Sequence, residues 1–208
     1  MKTNFLKLSL LALVIFSTSS SNDDDTKDET ISAAVTQKFA NLSAPATGGQ
    51  GQPEGGAFTK FSFSENKIVT SDNWDIAFRG TVIIVNGGAK IGITDEPNRT
   101  GNGAVSVVSG GFSAVNTIPL AATFTQDAAT VYAFPKSGDN AWYDYNPNTH
   151  IITSKAGKIF VVKTHDGKYA KFEILSYYKD APITPDVTSL GRYFTFNFAY
   201  QANSTTTF

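Results

Sequence analysis

Two apolar runs, residues 158–163 and 168–178, lie on either side of the dipeptide Asp166-Gly167. A type I′ turn needs positive φ at both central residues, and Asp-Gly is among the pairs that adopt it most readily. The spacing therefore predicts a β-hairpin closed by a type I′ turn. The first run is apolar on both faces, which is typical of a strand in the interior of a sheet. We expect a mainly antiparallel sheet built around this hairpin.

Alternation at every second residue extends this prediction along the chain, because it gives a strand one buried face. The residues predicted to face inward are Phe61 and Phe63; Trp74, Ile76 and Phe78; Ala170, Phe172 and Ile174; and Phe194, Phe196, Phe198 and Tyr200. Lys171 and Glu173 alternate with the third set and are predicted to face solvent. The chain has 16 Phe and 8 Tyr in 208 residues, a bias that favours strands over helices. The predicted fold class is all-β, with mainly antiparallel sheets.

Two weaker patterns complete the predicted secondary structure. The tetrapeptide Asn86-Gly87-Gly88-Ala89 lies between apolar residues 81–85 and 90–94, which predicts a second hairpin turn. Residues 101–111 are rich in glycine, with a Val/Ser alternation that predicts a further strand. The one helical turn that we expect lies near residues 31–39.

The N-terminus predicts export. Lys2 and Lys7 make the first residues basic, and residues 8–16 form an apolar run. This run is too short to span about 30 Å of hydrocarbon but is suited to a signal peptide. We assign residues 1–21 to a signal peptide, 22–30 to an acidic, disordered linker and 31–208 to one β domain. The serines and acidic residues 17–25 resemble a lipoprotein start with serine in place of the acylated cysteine. Either ordinary cleavage releases the chain, or a Cys→Ser change separates it from a lipidated parent.

Composition excludes several classes of function. A net charge of −1 gives no electrostatic footprint for nucleic acid, and the absence of cysteine rules out disulfides, thiolate zinc sites and cysteine nucleophiles. We find neither a G-x-S-x-G motif nor a phosphate-binding loop, nor His and carboxylate residues at metal-ligand spacing. The chain is therefore expected not to be an enzyme, and the mature chain is expected to have no transmembrane span.

Three segments together resemble the HmuY family of bacterial haem-binding envelope proteins. They are Phe61-Ser62-Phe63-Ser64; Asn73-Trp74-Asp75-Ile76-Ala77-Phe78; and a third that runs from Trp142-Tyr143-Asp144-Tyr145 through Phe160-Val161-Val162-Lys163 and Asp166-Gly167-Lys168-Tyr169-Ala170-Lys171 to Tyr177-Tyr178-Lys179-Asp180-Ala181. The resemblance implies an antiparallel β fold, export and frequent lipidation. It also implies haem capture at the cell surface or outer membrane, or by a secreted form, and delivery to a TonB-dependent outer-membrane receptor.

The resemblance further implies two axial histidines, one within residues 131–140 and one five residues after Trp142. This chain has no histidine in the first stretch and has Pro147 at the second position. Some relatives use methionine, but Met1 is the single methionine and leaves with the signal peptide. The iron ligands of the family pattern are thus missing at their matching positions.

His150 is the remaining candidate for a metal ligand, because it lies close to the second family position and imidazole binds haem iron. Trp142, Tyr143 and Tyr145 are predicted to line a cofactor-binding slot beside it, with Lys155 or Lys158 available for the propionates. The alternatives are that these aromatic residues belong to the core and that His150 is a loop histidine bonded to backbone. His165, just before the predicted turn, is expected to be an ordinary exposed residue.

Two functions follow as hypotheses. The first is an exported haem-binding protein that passes haem to a TonB-dependent receptor. The second is a surface interaction module on the same fold, which binds a glycan or a protein partner without haem. The family resemblance favours the first hypothesis, and the missing axial ligands favour the second.

Overall fold

The computed structural model describes residues 34–49 and 52–208. The predicted signal peptide (1–21) and acidic linker (22–30) lie outside the described residues. Within them the regular secondary structure consists almost wholly of antiparallel strands, which confirms the predicted all-β fold. The strands are β1 Thr36–Ser43, β2 Thr47–Gly49, β3 Gln52–Gly55, β4 Thr59–Ser62, β5 Lys67–Val69, β6 Ile76–Arg79, β7 Val82–Val85, β8 Ala104–Ser109, β9 Tyr143–Asn146, β10 Ile151–Ser154, β11 Lys158–Lys163, β12 Tyr169–Tyr178 and β13 Gly191–Gln201.

Two sheets form the body of the domain. Five strands pair in the order β1-β13-β12-β11-β8, and four pair in the order β5-β4-β6-β7. Strands β2 and β3 form one separate hairpin, and β9 and β10 form another. A short 3-10 turn covers Ala121–Thr123. Among the described residues no helix is both long and apolar enough to cross a membrane.

The main core lies between the five-stranded and four-stranded sheets. Its inward-facing residues come from both sheets, as alternation at every second residue predicts. They include Phe61, Phe63, Ile76, Phe78, Phe160, Val162, Ala170, Phe172, Ile174, Phe194, Phe196 and Phe198. This confirms the predicted inward faces of β12 and β13 and of Phe61 and Phe63. Phenylalanine rings at this density pack mostly edge-on or tilted, which suits their quadrupoles.

The outer face of each sheet is also covered. On the five-stranded sheet, Ile159 and Val161 of β11 pack with Val115 under residues 108–124 and Phe208. Because Phe160 and Val162 of the same strand face the main core, β11 is buried on both sides, as predicted for an interior strand. The domain therefore has an apolar layer on each side of its five-stranded sheet.

The same covering layer corrects the prediction for Lys171. The side chain does leave the main core, but it is only 6% exposed. Its Nζ donates hydrogen bonds to the carbonyl oxygens of Val115 (2.7 Å) and Phe112 (3.0 Å) and lies 4.7 Å from the centre of the Phe112 ring. Burial lowers the pKa of Lys171 below its ordinary value. Alternation alone could not reveal the segment that covers this face.

The prediction that Trp74 shares a face with Ile76 and Phe78 is wrong. Ile76 and Phe78 enter the main core, whereas Trp74 packs on the outer face of the four-stranded sheet. The chain bends at Asp75, and β6 begins only at Ile76. Alternation relates residues within one strand, so it does not extend across that bend.

The predicted hairpin turn at Asn86 is also wrong. Strand β7 pairs with β6 through the two-residue turn Gly80-Thr81, and residues 90–94 form no strand. The Asn86 side chain is instead buried, where its Nδ2 donates to the Trp74 carbonyl (2.9 Å) and its Oδ1 accepts the amide of Thr100 (2.7 Å). Asn86 thus replaces missing backbone pairing rather than forming a turn.

Candidate functional site

The hairpin formed by β9 and β10 carries every candidate ligand residue except Trp142, which directly precedes it. Tyr143 pairs with Ser154 and Asn146 with Ile151, which leaves residues 147–150 as the loop. The Asn146 side chain accepts the amide hydrogens of Asn148 (2.9 Å) and Thr149 (3.3 Å), an Asx-type arrangement that closes such loops. His150 completes the turn at a φ of 57°, in the left-handed region.

Tyr145 and His150 form an exposed hydrogen-bonded pair on this hairpin. The Tyr145 hydroxyl lies 2.5 Å from Nδ1 of His150, and Tyr145 is 51% exposed. Nδ1 is therefore occupied, and the second ring nitrogen, Nε2, is the one that a ligand can use. Among the described residues no group of three or more His, Cys, Asp or Glu side chains is arranged to hold a metal ion.

Trp142 lies at the base of the hairpin and is only 3% exposed. Its Nε1 donates to the carbonyl oxygen of Thr81 (3.0 Å), and its ring packs 5.1 Å from that of Phe194. Tyr143 is half-buried against the Trp142 ring, 4.4 Å away between centres. The predicted slot residues follow one another along the hairpin, from Trp142 in the core to Tyr145 at the surface.

The body of the domain holds the hairpin at two points on β10. The amide of Ile152 donates to the hydroxyl of Tyr178 (2.9 Å), and the Ser154 hydroxyl donates to the Leu175 carbonyl (3.0 Å). Both partners, Tyr178 and Leu175, lie near the end of β12. These two hydrogen bonds anchor the hairpin to the body of the domain.

The two lysines proposed for propionates are engaged elsewhere. Lys155 bonds to the Gly138 carbonyl (2.8 Å) and lies 3.3 Å from the Asp144 carboxylate. Lys158 pairs with Asp139 at 3.1 Å, and this ion pair lowers the pKa of Asp139. Each ammonium group faces a carboxylate, so neither is a preformed site for a second anion.

A cleft lies on the face of the hairpin opposite to Tyr145. It has a volume of about 410 Å³, and its lining includes Ile151 and Thr153 of β10 and Pro185 and Val187 of the loop before β13. Tyr145 pairs with Ile152, so alternation puts Tyr145 on the face opposite Ile151. Sequence reasoning missed this cleft, although aliphatic residues between Pro182 and Pro185 and beyond them were an available signal.

His165 has a structural environment that the sequence did not predict. Its Nδ1 lies 2.8 Å from Oδ1 of Asp75, and its backbone amide donates to the same oxygen (3.0 Å). The hydrogen bond to Asp75 raises the pKa of His165 above its ordinary value, against the opposing effect of partial burial. The pair joins the Asn73-Trp74-Asp75 segment to the Asp166-Gly167 hairpin, which are separate in sequence.

The Asp166-Gly167 hairpin itself is confirmed, but the predicted type I′ turn is wrong. Thr164 and Lys168 close a three-residue loop in which the Thr164 amide donates to the Lys168 carbonyl (2.9 Å). Gly167 has a φ of 87°, whereas Asp166 is not among the residues with positive φ. This is a type I turn followed by a left-handed glycine, the usual form of a three-residue hairpin loop.

These observations define a class: an all-β domain of two packed antiparallel sheets, with an aromatic hairpin projecting from one end of β12. The family model described as HmuY protein matches residues 56–198, which include the four-stranded sheet, the β9–β10 hairpin and every strand of the five-stranded sheet except β1 and the end of β13. The chain belongs to the HmuY family. A search of curated proteins finds no significant match.

Solved structures include similar folds at low sequence identity. The apo HmuY analogue of Tannerella forsythia has 12% identity and a TM-score of 0.55, with 83% of this chain and 99% of that chain covered. A candidate lipoprotein of Bacteroides fragilis has 15% identity and a TM-score of 0.49, with 84% and 92% covered. A candidate HmuY-like haem-binding protein of Bacteroides vulgatus has 16% identity and a TM-score of 0.46, with 81% and 92% covered. The first of these supports the same fold for this chain.

Proposed function

We propose that this protein is an exported haem-binding protein that holds haem iron through Nε2 of His150. The observation that carries the proposal is the exposed Tyr145–His150 pair, with 2.5 Å between the hydroxyl and Nδ1. Membership of the HmuY family supports the ligand class, and haem binding is the function named for one of the similar structures. Binding, rather than catalysis, is the proposed activity.

The Tyr145–His150 hydrogen bond suits a ligating imidazole. A neutral imidazole has one N–H and one free lone pair, so Nε2 can bind iron only when Nδ1 carries the proton. The Tyr145 oxygen is able to accept that proton in a hydrogen bond, which orients the ring. Haem would supply an iron atom at this site, and the histidine would be its axial ligand.

The neighbouring aromatic residues have distinct roles in the proposal. Tyr143 and Tyr145 lie two residues apart on β9, so alternation puts both side chains on the same face of the hairpin. They offer a flat apolar surface against which a porphyrin can stack. Trp142, which is buried, contributes by holding the base of the hairpin rather than by touching the cofactor.

Purified protein titrated with haemin is expected to show a shifted Soret band. His150→Ala is expected to abolish the shift, because it removes the iron ligand. Tyr145→Phe is expected to weaken binding about tenfold, the usual effect of losing the partner of a metal-bound histidine. The measurement is absorbance in both oxidation states across the titration.

The other histidine supplies the matched control. His165→Gln is expected to keep the Soret shift, because His165 is bonded to Asp75 in the body of the domain. Circular dichroism checks that each variant is folded. A spectrum identical to that of free haemin for the parent protein, or an unchanged shift in His150→Ala, is incompatible with the proposed ligand.

A second candidate function has its own supporting observation. Ile183, Val187 and Leu190 are 101%, 80% and 56% exposed in the loop beside the cleft. Adjacent exposed aliphatic residues are typical of protein interaction sites. A non-haem surface module would use this loop to bind a protein or glycan partner, and it would leave haemin unbound in the titration above.

We further propose a signal peptide at residues 1–21, a linker at 22–30, a surface or secreted location, and transfer of haem to a TonB-dependent outer-membrane receptor. Deletion of residues 1–21 is expected to leave the chain in the cytoplasm, as measured by cell fractionation.

Haem-loaded protein is expected to transfer haem to outer-membrane vesicles of the source cells, and Val187→Asp is expected to slow that transfer. Equal fractionation of the parent and the deletion, or equal transfer rates, would count against these steps.

A further inference from the structure

A separate cavity opens beside β6 and β7 and shares no lining residue with the cleft of the β9–β10 hairpin. Its volume is about 340 Å³. We call it the Arg79 cavity, and the lining residues that define its chemistry are Glu54, Arg79, Val82, Ile93, Tyr132 and Lys136. Neither the predicted function nor the Tyr145–His150 pair uses any of them.

Arg79 is a buried cation without a charged partner. It is 1% exposed, and its Nη1 donates to the carbonyl oxygens of Gly56 (3.2 Å) and Thr94. Over the part of the chain that the structure describes, no carboxylate forms an ion pair with it, and its Nε has no hydrogen-bond partner. Its guanidinium lies 4.4 Å from the centre of the Phe58 ring. A buried charge without a compensating charge is costly, so its presence at a cavity wall needs a reason.

A second cation lies at the same cavity. Lys136 is exposed, and its Nζ lies 4.8 Å from the centre of the Tyr132 ring. Glu54 is the one acidic residue among the described lining residues, and it is exposed on β3. Two cations against one solvated carboxylate give the lining side chains an excess of positive charge, which favours an anion over a cation as occupant.

Three further lining side chains are apolar or aromatic. Val82 is buried and belongs to the outer cluster of the four-stranded sheet, and Ile93 and Tyr132 pack against that cluster. An inorganic anion would gain nothing from these side chains, whereas an anion with a hydrocarbon body would bury it against them. Arginine also suits carboxylates, because its planar fork matches their two oxygens.

We infer that the Arg79 cavity binds organic acids, with the carboxylate held by Arg79 and Lys136 and the apolar body against Val82, Ile93 and Tyr132. The site is independent of haem. Its occupant is a small amphiphilic carboxylate, and charge and apolar surface are both required.

The probes are hexanoate, hexanol and inorganic phosphate, titrated at constant ionic strength and followed by NMR of the Arg79 Nε–H and the Thr94 amide. Hexanoate is expected to move both signals and saturate at millimolar concentration. Hexanol lacks the charge and phosphate lacks the apolar body, so each is expected to bind at least about tenfold more weakly. Equal responses to hexanoate and phosphate would indicate a non-specific anion effect and overturn the inference.

Two lysine variants provide a matched comparison. Lys136→Gln removes the exposed cation at the cavity and is expected to weaken hexanoate binding about tenfold. Lys38→Gln removes an exposed lysine on β1 and is expected to leave it unchanged. Arg79→Lys keeps the charge but loses the planar fork, and is expected to weaken binding further. Signals unmoved by hexanoate, or equal binding by the two lysine variants, would refute the site, whatever the haemin titration gives.

Discussion

Phe196→Ala is expected to lower the free energy of unfolding by about 4 kcal/mol, near the upper end of the range for large-to-small changes in a core. Phe196 is fully buried on β13, and its ring lies within 6.1 Å, between centres, of five other phenylalanine rings. Those rings belong to both sheets. The substitution therefore leaves a cavity at the point where the sheets meet, and rigid neighbours cannot fill it.

Urea unfolding followed by tryptophan fluorescence measures this loss, because Trp74 and Trp142 are both buried. Leu120→Ala is the control: Leu120 is 80% exposed, and its truncation is expected to change stability by less than about 0.5 kcal/mol. A loss below about 2 kcal/mol for Phe196→Ala would mean that the surrounding rings collapse into the space and that the core is less tightly packed than the structure indicates.

Asp75→Asn is expected to destabilise the domain by about 3 kcal/mol, since it removes a buried carboxylate that pairs with His165 and leaves donors unpaired. Asp75 is 1% exposed. Its Oδ2 accepts the Phe63 amide (2.8 Å), and its Oδ1 accepts the amide of His165 (3.0 Å) and faces Nδ1 of His165 (2.8 Å). An asparagine has one acceptor oxygen, so in either orientation its NH₂ group meets an N–H donor.

The same pair predicts how stability depends on pH. The hydrogen bond to Asp75 raises the pKa of His165 above its ordinary value of 6.5, so the folded state holds this proton more tightly than the unfolded chain. The resulting stabilisation is complete below about pH 6.5 and is lost as pH rises through the folded-state pKa. The free energy of unfolding is therefore expected to fall with rising pH in that window, and Asp75→Asn is expected to remove this fall.

Urea unfolding of the parent and the variant at pH 6 and pH 8.5 measures both effects. Asp72→Asn is the matched control, because the Asp72 side chain is 71% exposed and its ion pair with Lys60 lies at the surface. Such pairs contribute about 0–1 kcal/mol. Equal stability of the two asparagine variants, or a pH slope that survives in Asp75→Asn, would rule out the structural role assigned to the Asp75–His165 pair.

Local pattern predicted the strands that are long and regular. The alternation of Phe194, Phe196 and Phe198 lies within β13, and both the alternation and its buried face are confirmed. The hairpin between β11 and β12 is also confirmed. It was predictable because Gly167 marks the position of its turn in the sequence. These features depend on neighbours in sequence, which the residues themselves reveal.

The sequence did not predict features set by contacts between distant residues. Trp74 changes face at the bend at Asp75, whose carboxylate bonds to His165, 90 residues away. Lys171 is buried because a segment near residue 115 crosses over it. The Arg79 cavity and the cleft at Val187 are each assembled from segments far apart in the chain. Alternation assigns a face to a residue but cannot say what covers that face.

For the candidate site, the sequence grouped Trp142, Tyr143, Tyr145 and His150 in one slot, and the structure places them at different depths along the β9–β10 hairpin. His150 and Tyr145 were expected near one another, and they are hydrogen-bonded. Trp142 was proposed for the same slot, but its indole faces Thr81 and the core. Whether His150 binds iron stays a prediction. Relative exposure along a hairpin depends on where the hairpin docks, and short strands carry too few residues to encode it.

The place of β13 in the five-stranded sheet has a consequence for how the chain is made. The last strand lies between β1 and β12, so Thr36 meets Ala199 only after almost the whole domain has been synthesised. Pairings of such long sequence separation form slowly, because a large loop must close before they contribute stability. A nascent chain without β13 lacks the centre of its main core. It is therefore expected to stay unfolded during synthesis, which is the state in which a polypeptide can be threaded through a translocation channel.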